Sequence, residues 1–455
     1  MHGRSAERVG AIAFQAAVVF LAFVGGTLAA VTHLFPSGYV ENAYTAGRAL
    51  YEKSFSYVDP YRTDLWTKAD RGGDGVVVPA ASGGNGDLIL YTSGDGPDAV
   101  LIDRNGRPVH RWHRPYSSVW DASAAVSDPV PDRQIYFRKA HAFPDGDLLA
   151  LYESVGDTPY GYGLVRLDRR SRIVWKNLDH FHHDFDLAPD GRVFALTHAF
   201  RDTFPNGLDH FQLPFLEDSL AVLSPDGRTV KKISLPDAID RSGYRRLLWR
   251  IPYYSLEDPL HANSVEYIDA RKAARLKPKV PQVREGQVLV SFRELAGGTV
   301  ALLDPDDGRL VWALRGPWSA QHDPDVLDNG DLLVFDNRGH FGPGGQSRIV
   351  EVDPSNGREV WHYAGSAAAP FESLIRGSQQ RLPNGNTLIT ESGAGRLLEV
   401  APGGRTVWAY DNPVRGGPDN AFRAIVCWGE RYAPDYFAAG FLSPRTSTQQ
   451  EASNA

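Results

Sequence analysis

Six times along the chain one unit recurs: a Gly-centred turn, a run of alternating apolar residues, a second apolar strand ending in an acidic or Pro turn, then Arg-x-Val-Trp or its near kin. The turn glycines are Gly86, Gly146, Gly191, Gly286, Gly330 and Gly385. The clearest copies run from Asn329-Gly330-Asp331 to Arg358-Glu359-Val360-Trp361 and from Asn384-Gly385-Asn386 to Arg405-Thr406-Val407-Trp408. Asp-Gly and Asn-Gly supply the positive φ that tight hairpins need, so each unit reads as short antiparallel strands. Repetition at this length predicts an all-β fold, a six-bladed β-propeller of four-stranded blades, with its site at one mouth of the central channel. Trp175, Trp312, Trp361 and Trp408 share one outer-strand position, taken by His110 and Lys231 in the first and third units. They are expected to pack against the neighbouring blade.

At 455 residues and 42% hydrophobic content the chain can bury a large core, and the repeats argue for one large domain where length alone would allow two or three. The formal charge of −7 is mild, and no basic cluster with interleaved aromatics occurs, which argues against nucleic acid as a partner. Cys427 is the sole cysteine, so an intrachain disulfide, a Cys-rich metal site and a Cys-x-x-Cys motif are excluded; beside Trp428 it reads as a packing residue.

From Val9 to Phe35 no Asp, Glu, Lys or Arg occurs, enough to span a bilayer as an uncleaved anchor, with a cleaved signal peptide as the rival reading. His2, Arg4 and Arg8 precede it, which keeps the N-terminus cytoplasmic and puts the repeats on the periplasmic or extracellular side of the cell membrane. The expected division is therefore 1–8 cytoplasmic, 9–35 transmembrane, 36–74 a membrane-proximal linker with a short helix over Ala43 to Ser54, 75–430 the propeller, and 431–455 a polar, disordered tail. Asp269 to Glu285 reads as a surface loop, and Arg241 to Arg250 as a lid or a partner contact.

Three successive units place a His at the start of their first strand: His183, His261 and His322. His183 and His322 each stand eight residues before their turn glycine, so pseudo-rotation carries them to one ring around the channel. Imidazole can be nucleophile, proton carrier or ligand near neutral pH. Arg293 and Arg376, the latter just ahead of Gly377-Ser378, can join the ring. Two chemistries stay open. Three His with Asp184 or Asp323 can hold a divalent metal. Alternatively a His attacks a sulfuryl or phosphoryl group whose oxygens Arg, Asn and the other imidazoles neutralise, a use that suits a cationic Arg better.

The strings His182-His183-Asp184-Phe185-Asp186, His261-Ala262-Asn263-Ser264-Val265, Gln321-His322-Asp323 with Asn329-Gly330-Asp331-Leu332-Leu333-Val334-Phe335-Asp336-Asn337, and Leu382-Pro383-Asn384-Gly385-Asn386-Thr387 resemble the bacterial arylsulfotransferase family over roughly residues 80 to 428. The resemblance implies an exported six-bladed propeller that moves sulfate from a phenolic sulfate donor to a phenolic acceptor without a nucleotide donor or cofactor. It implies that His322 becomes a sulfohistidine in a ping-pong cycle and that His183, His261, Asn263 and Arg293 complete the catalytic set, with His183 as acid and base. Arg376, Ser378 and His182 are the expected substrate contacts. Some members carry an N-terminal β-domain, a disulfide and a Thr in the sixth-blade part of the site; here residues 36–74 are too short for that domain, Cys427 is alone, and Arg376-Gly377-Ser378 fills the Thr region. The alternative from another class is a membrane-tethered, non-catalytic propeller that serves as a binding or assembly subunit. A quinoprotein-like reading is weaker, since the repeats number six and no adjacent Cys pair exists, and a metal-dependent hydrolase, resting on the His-rich segment, is about as weak.

Overall fold

The computed structural model describes residues 3–32, scattered positions between 34 and 47, and residues 59–69, 73–80, 86–205 and 207–442. They fall in two units, Met1–Val58 and Asp59–Ala455. In the first unit the helix Gly3–Val31 is described. Its stretch Gly10–Val31 is long and apolar enough to cross a membrane, and side chains such as Phe14, Phe20 and Phe23 are exposed. The helix opens ahead of residue 9 because nothing between Gly3 and Arg8 breaks it. The short helix expected over 43–54 lies largely outside the described residues, as does the tail from 443 onward.

The second unit is built of antiparallel sheets. Six of them, numbered along the chain, cover 88–113, 135–177, 181–234, 262–314, 322–364 and 378–411. Sheets two to five have four strands each, all made in sequence order. The first sheet takes its fourth strand from far along the chain: Val426–Tyr432 pairs with Leu88–Ser93. The sixth gains an extra outer strand, Gly75–Val78, on Thr406–Asp411. The leading strands Ile135–Ala142, Phe181–Leu187, Ala262–Tyr267, His322–Val326, Ser378–Arg381 and Val426–Tyr432 touch in that order, and the last touches the first.

The apolar alternation has a different meaning from an inside and an outside. Second strands such as Leu88–Ser93 and Leu148–Ser154 are buried along their whole length. Leu88 and Leu90 join a cluster with Phe137 and Tyr152 of the second sheet, while Ile89 and Tyr91 join one with Leu397 and Trp408 of the sixth. Period-two residues thus feed two apolar interfaces, one per face, because each sheet is covered on both sides by its neighbours. The repeated outer-strand aromatics close those interfaces. Trp408 donates its indole N–H to Arg104 O (3.0 Å), Trp361 to Pro402 O (2.8 Å), and Trp112, two residues beyond the expected His110, to Gly146 O (3.0 Å). Lys231 imitates them with its ammonium on Pro305 O, 2.5 Å. Each acceptor belongs to a turn of the next sheet.

Three expectations change. The second unit begins at Asp59, well before residue 75: Leu65 is buried and Trp66–Lys68 pairs with Phe422–Ala424 in a three-stranded sheet. The segment after Asp269 is more than a surface loop. Asp269 caps a helix, Ala270–Leu276, by accepting from Lys272 N, and Leu276, Val280 and Val283 pack into the cluster between sheets four and five. Beyond Arg431 the chain stays ordered to residue 442 in packing terms: Tyr432 and Phe437 are buried, and Phe441 stacks on Trp112.

Candidate active site

Five of the six leading strands lose pairing register near their start: between Phe137 and Lys139, Phe181 and Phe185, Ala262 and Ser264, His322 and Asp325, and Val426 and Trp428. Such bulges re-aim side chains. The strain is visible in the backbone, where His183 (φ 56°), His261 (φ 46°), Asp323 (φ 51°) and Arg376 (φ 60°) all lie in the left-handed region that L-residues avoid.

These distortions gather the three histidines. The His183 ring centroid is 5.1 Å from that of His261 and 6.4 Å from that of His322. His322 is buried, and its Nδ1 faces two acceptors, Ala320 O at 3.1 Å and Asn337 Oδ1 at 2.8 Å. Asn337 cannot present its amide nitrogen instead, because Nδ2 donates to Ser373 O and Arg376 O, each at 2.6 Å. The His322 proton therefore sits on Nδ1 and the lone pair on Nε2. Burial first, then the charges of Arg138 and Arg293, hold its pKa well below the usual imidazole range, so the ring is neutral.

His261 is set the other way. Its Nδ1 lies 2.5 Å from Asp258 Oδ2; burial opposes a charge on the ring, yet that carboxylate outweighs it and raises the pKa. Arg293 Nη1 approaches His261 Nε2 at 3.3 Å. Both residues open onto a cavity of about 420 Å³ that is also lined by Tyr254, Glu294 and Arg338. His183 donates its backbone N–H to Glu153 Oε1 (2.5 Å), and its pKa is pushed well down by burial and then by His261, His182, Arg138 and His322.

The other expected residues are placed differently. Asn263 donates Nδ2 to Gln321 O at 2.7 Å, which ties the fourth sheet to the residue before His322. Arg376 is engaged by Asp64 (3.2 Å) and by the Tyr136 hydroxyl (3.1 Å). Ser378 is buried and its hydroxyl donates to Thr390 Oγ1 at 2.9 Å, and His182 is fully buried behind His183, so neither presents a surface for direct substrate contact. The carboxylates considered as metal partners face elsewhere. Asp184 pairs with Lys139 (2.5 Å) and accepts from Ser264, and Asp323 accepts from Gln379 N; Lys139 and Asp323 line a separate cavity of about 750 Å³. Cys427 is buried, with its thiol pushed up to about 12 by desolvation, as a packing residue should be.

Sequence reasoning missed Arg138, Asn337, Asp258 and Glu153. Arg138 is buried, donates to Cys427 O at 3.1 Å, and lies close enough to depress both His183 and His322. A signal existed: Arg138 stands eight residues before Gly146, the same offset as His183 and His322 in their units. Asn337 ends one of the strings that carry the family resemblance, but nothing local gives its role, and Asp258 and Glu153 lie outside those strings.

No curated protein matches the chain. Among solved structures it resembles a protein of unknown function from Bacteroides caccae (15% identity, 75% of this chain and 97% of that one, TM-score 0.47). It also resembles the β-propeller domain of Myceliophteria thermophila Cps50 (Swd1) (12%, 77% and 96%, TM-score 0.39) and the WD40 β-propeller domain of Doa1 (12%, 66% and 71%, TM-score 0.36). The family model for arylsulfotransferase (ASST) matches residues 139–413, more than half of the chain and all three clustered histidines, and the chain belongs to that family.

Proposed function

We propose that this chain is a six-bladed β-propeller that moves a sulfuryl group from a phenolic sulfate ester to a second phenol through a sulfohistidine on His322, with no nucleotide donor. The observation that carries the reading is the fixed proton on His322 Nδ1, which leaves the lone pair of a neutral imidazole at Nε2. In the first half-reaction Nε2 attacks sulfur, an N–S bond forms, the ester S–O bond breaks and the phenolate departs. The negative ester offsets the cationic surroundings of His183, which then carries a proton at Nε2 and gives it to that phenolate. In the second half-reaction the incoming phenol loses its proton to His183 as its oxygen attacks sulfur, and the N–S bonding pair returns to His322. Arg138, Arg293 and His261 balance the sulfuryl oxygens. Asn263 positions His322 through Gln321. The Gly10–Val31 helix tethers the propeller to the outer face of the cell membrane, with Arg4 and Arg8 cytoplasmic.

The test is a transfer assay on the full chain in detergent, with p-nitrophenyl sulfate as donor, a simple phenol as acceptor, and chelator present or absent, followed by intact-mass analysis after donor alone. Expected are p-nitrophenol release that ignores chelator and a sulfuryl adduct on His322 that His322→Ala lacks. Undiminished transfer by His322→Ala removes the covalent mechanism, and transfer abolished by chelator removes the metal-free one.

A further inference from the structure

Behind His183 lie three fully buried polar side chains, His182, His198 and Asp218, with ligand-type atoms all within 4.8 Å of one another. His182 Nε2, His198 Nδ1 and Asp218 Oδ1 have no hydrogen-bond partner of good geometry, although His182 Nε2 and Asp218 Oδ1 are 3.3 Å apart. A metal ion is the first thought, and two observations oppose it. Gly161 N–H donates to His198 Nε2 at 3.3 Å, so neutral His198 keeps its proton on Nδ1, the atom that would have to ligate. The His182 and His198 rings also stack at 4.2 Å and 15°, which sends their in-plane lone pairs alongside each other instead of toward one point.

The donors and acceptors fit a different arrangement. The buried Asp218 carboxylate, 3.3 Å from His182 Nε2, can only accept, so His182 carries its proton on Nε2 and directs that N–H toward Asp218 Oδ1. That leaves His182 Nδ1 bare, 2.8 Å from His183 Nδ1, which must then be the donor. Glu153 Oε1, 3.7 Å from His183 Nδ1, favours a proton there as well. The Asp218 orientation is pinned by its second oxygen, which accepts the N–H of Ala262 at 2.7 Å. We infer that Asp218 and His182 are positioning residues that fix His183 as the Nδ1–H tautomer, so that its Nε2 lone pair faces the site, and that they stabilise its imidazolium once it has taken the phenol proton. No proton reaches Asp218: the phenol O–H bond breaks, an N–H bond forms at His183 Nε2, and the Nδ1–H stays in place. The inference rests on the acid and base role proposed for His183.

Asp218→Asn tests it. The Ala262 N–H still requires an acceptor, so the amide oxygen must face it and the NH₂ must face His182. Both imidazoles then reverse, and His183 Nε2 carries a proton. The base for the second half-reaction is lost, while a good leaving group such as p-nitrophenolate needs little acid help. Expected is adduct formation near the wild-type rate with adduct decay by phenol slowed by roughly 10²-fold, and a changed pH profile for decay alone. The other groups facing His183, namely Glu153, Arg138, Tyr160, His261 and His322, are unaltered in that variant. Independently of turnover, ¹⁵N NMR of the histidine-labelled wild-type full chain should show His183 protonated at Nδ1, and at Nε2 in Asp218→Asn. The relay is overturned by a wild-type His183 protonated at Nε2, by an unchanged decay rate in Asp218→Asn, or by a stoichiometric divalent metal on His182. A wild type that forms no adduct removes the sulfuryl-transfer reading alone, since the tautomers still decide the relay.

Discussion

Asn337 Oδ1 accepts from His322 Nδ1 at 2.8 Å while its own amide nitrogen is held by the carbonyls of Ser373 and Arg376, so one side chain just past the end of the strand Leu332–Asp336 dictates which nitrogen of His322 is nucleophilic. The loop that leads into the sixth sheet holds the orientation of that amide, and through it the tautomer.

Asn337→Asp puts a carboxylate on the same nitrogen. An adjacent negative charge favours the protonated imidazole, so His322 stays cationic to higher pH and its Nε2 lone pair is withdrawn. The acid limb of adduct formation should move to higher pH, with turnover at pH 7 down by about 10-fold or more. An unmoved limb would show that Asn337 does not set the protonation of His322. The two lost donor bonds should also lower the Tm.

Arg138→Gln removes a positive charge that adds to burial in lowering the pKa of both His183 and His322. Turnover should fall by roughly 10²–10³-fold through weaker stabilisation of the sulfuryl oxygens. The acid limb should again shift upward, because a cation that opposed protonation is gone. Steady-state kinetics across pH, with circular dichroism to confirm folding, checks both effects.

Stability should fall on mild acidification. His183, His198 and His322 have folded pKa values well below 6.5, owing first to burial. An unfolded chain protonates these rings as pH falls through about 6.5, whereas the native one resists. Their contribution is complete above that pH and declines below it. His261, raised by Asp258, acts in the opposite sense. Removing one depressed group isolates its share: between pH 7 and pH 5 the Tm of His322→Gln should drop less than that of wild type, and parallel curves would count against the neutral ring.

Gly330 stands at φ 77°, and a Cβ there would meet Arg275 O at 2.3 Å. Gly330→Ala should therefore cost about 1–3 kcal/mol, by backbone strain and by pushing away the Ala270–Leu276 helix. A thermal melt measures it. A loss of only a few tenths would mean that the helix yields easily.

The sequence by itself determined the repeat, its turns and the register of the histidines. Pro-Asp-Gly and Asn-Gly turns are local, and pseudo-symmetry lets two offsets of eight residues stand for two positions on one ring. The same offset contains Arg138, which no motif in its unit marks. Other readings needed the third dimension. Whether 269–285 lies on the surface depends on Leu276, Val280 and Val283 finding an apolar cleft between sheets four and five. Arg376 and Ser378 adjoin the site in sequence, yet Asp64 and Thr390 engage them. Above all, the protonation of each imidazole was decided by the tertiary structure. A ring nitrogen becomes donor or acceptor according to the atom opposite it; Asp258 stands only three residues before His261, but Asn337 Oδ1 and Asp218 Oδ1 reach His322 and His182 from other strands and loops that no local spacing encodes.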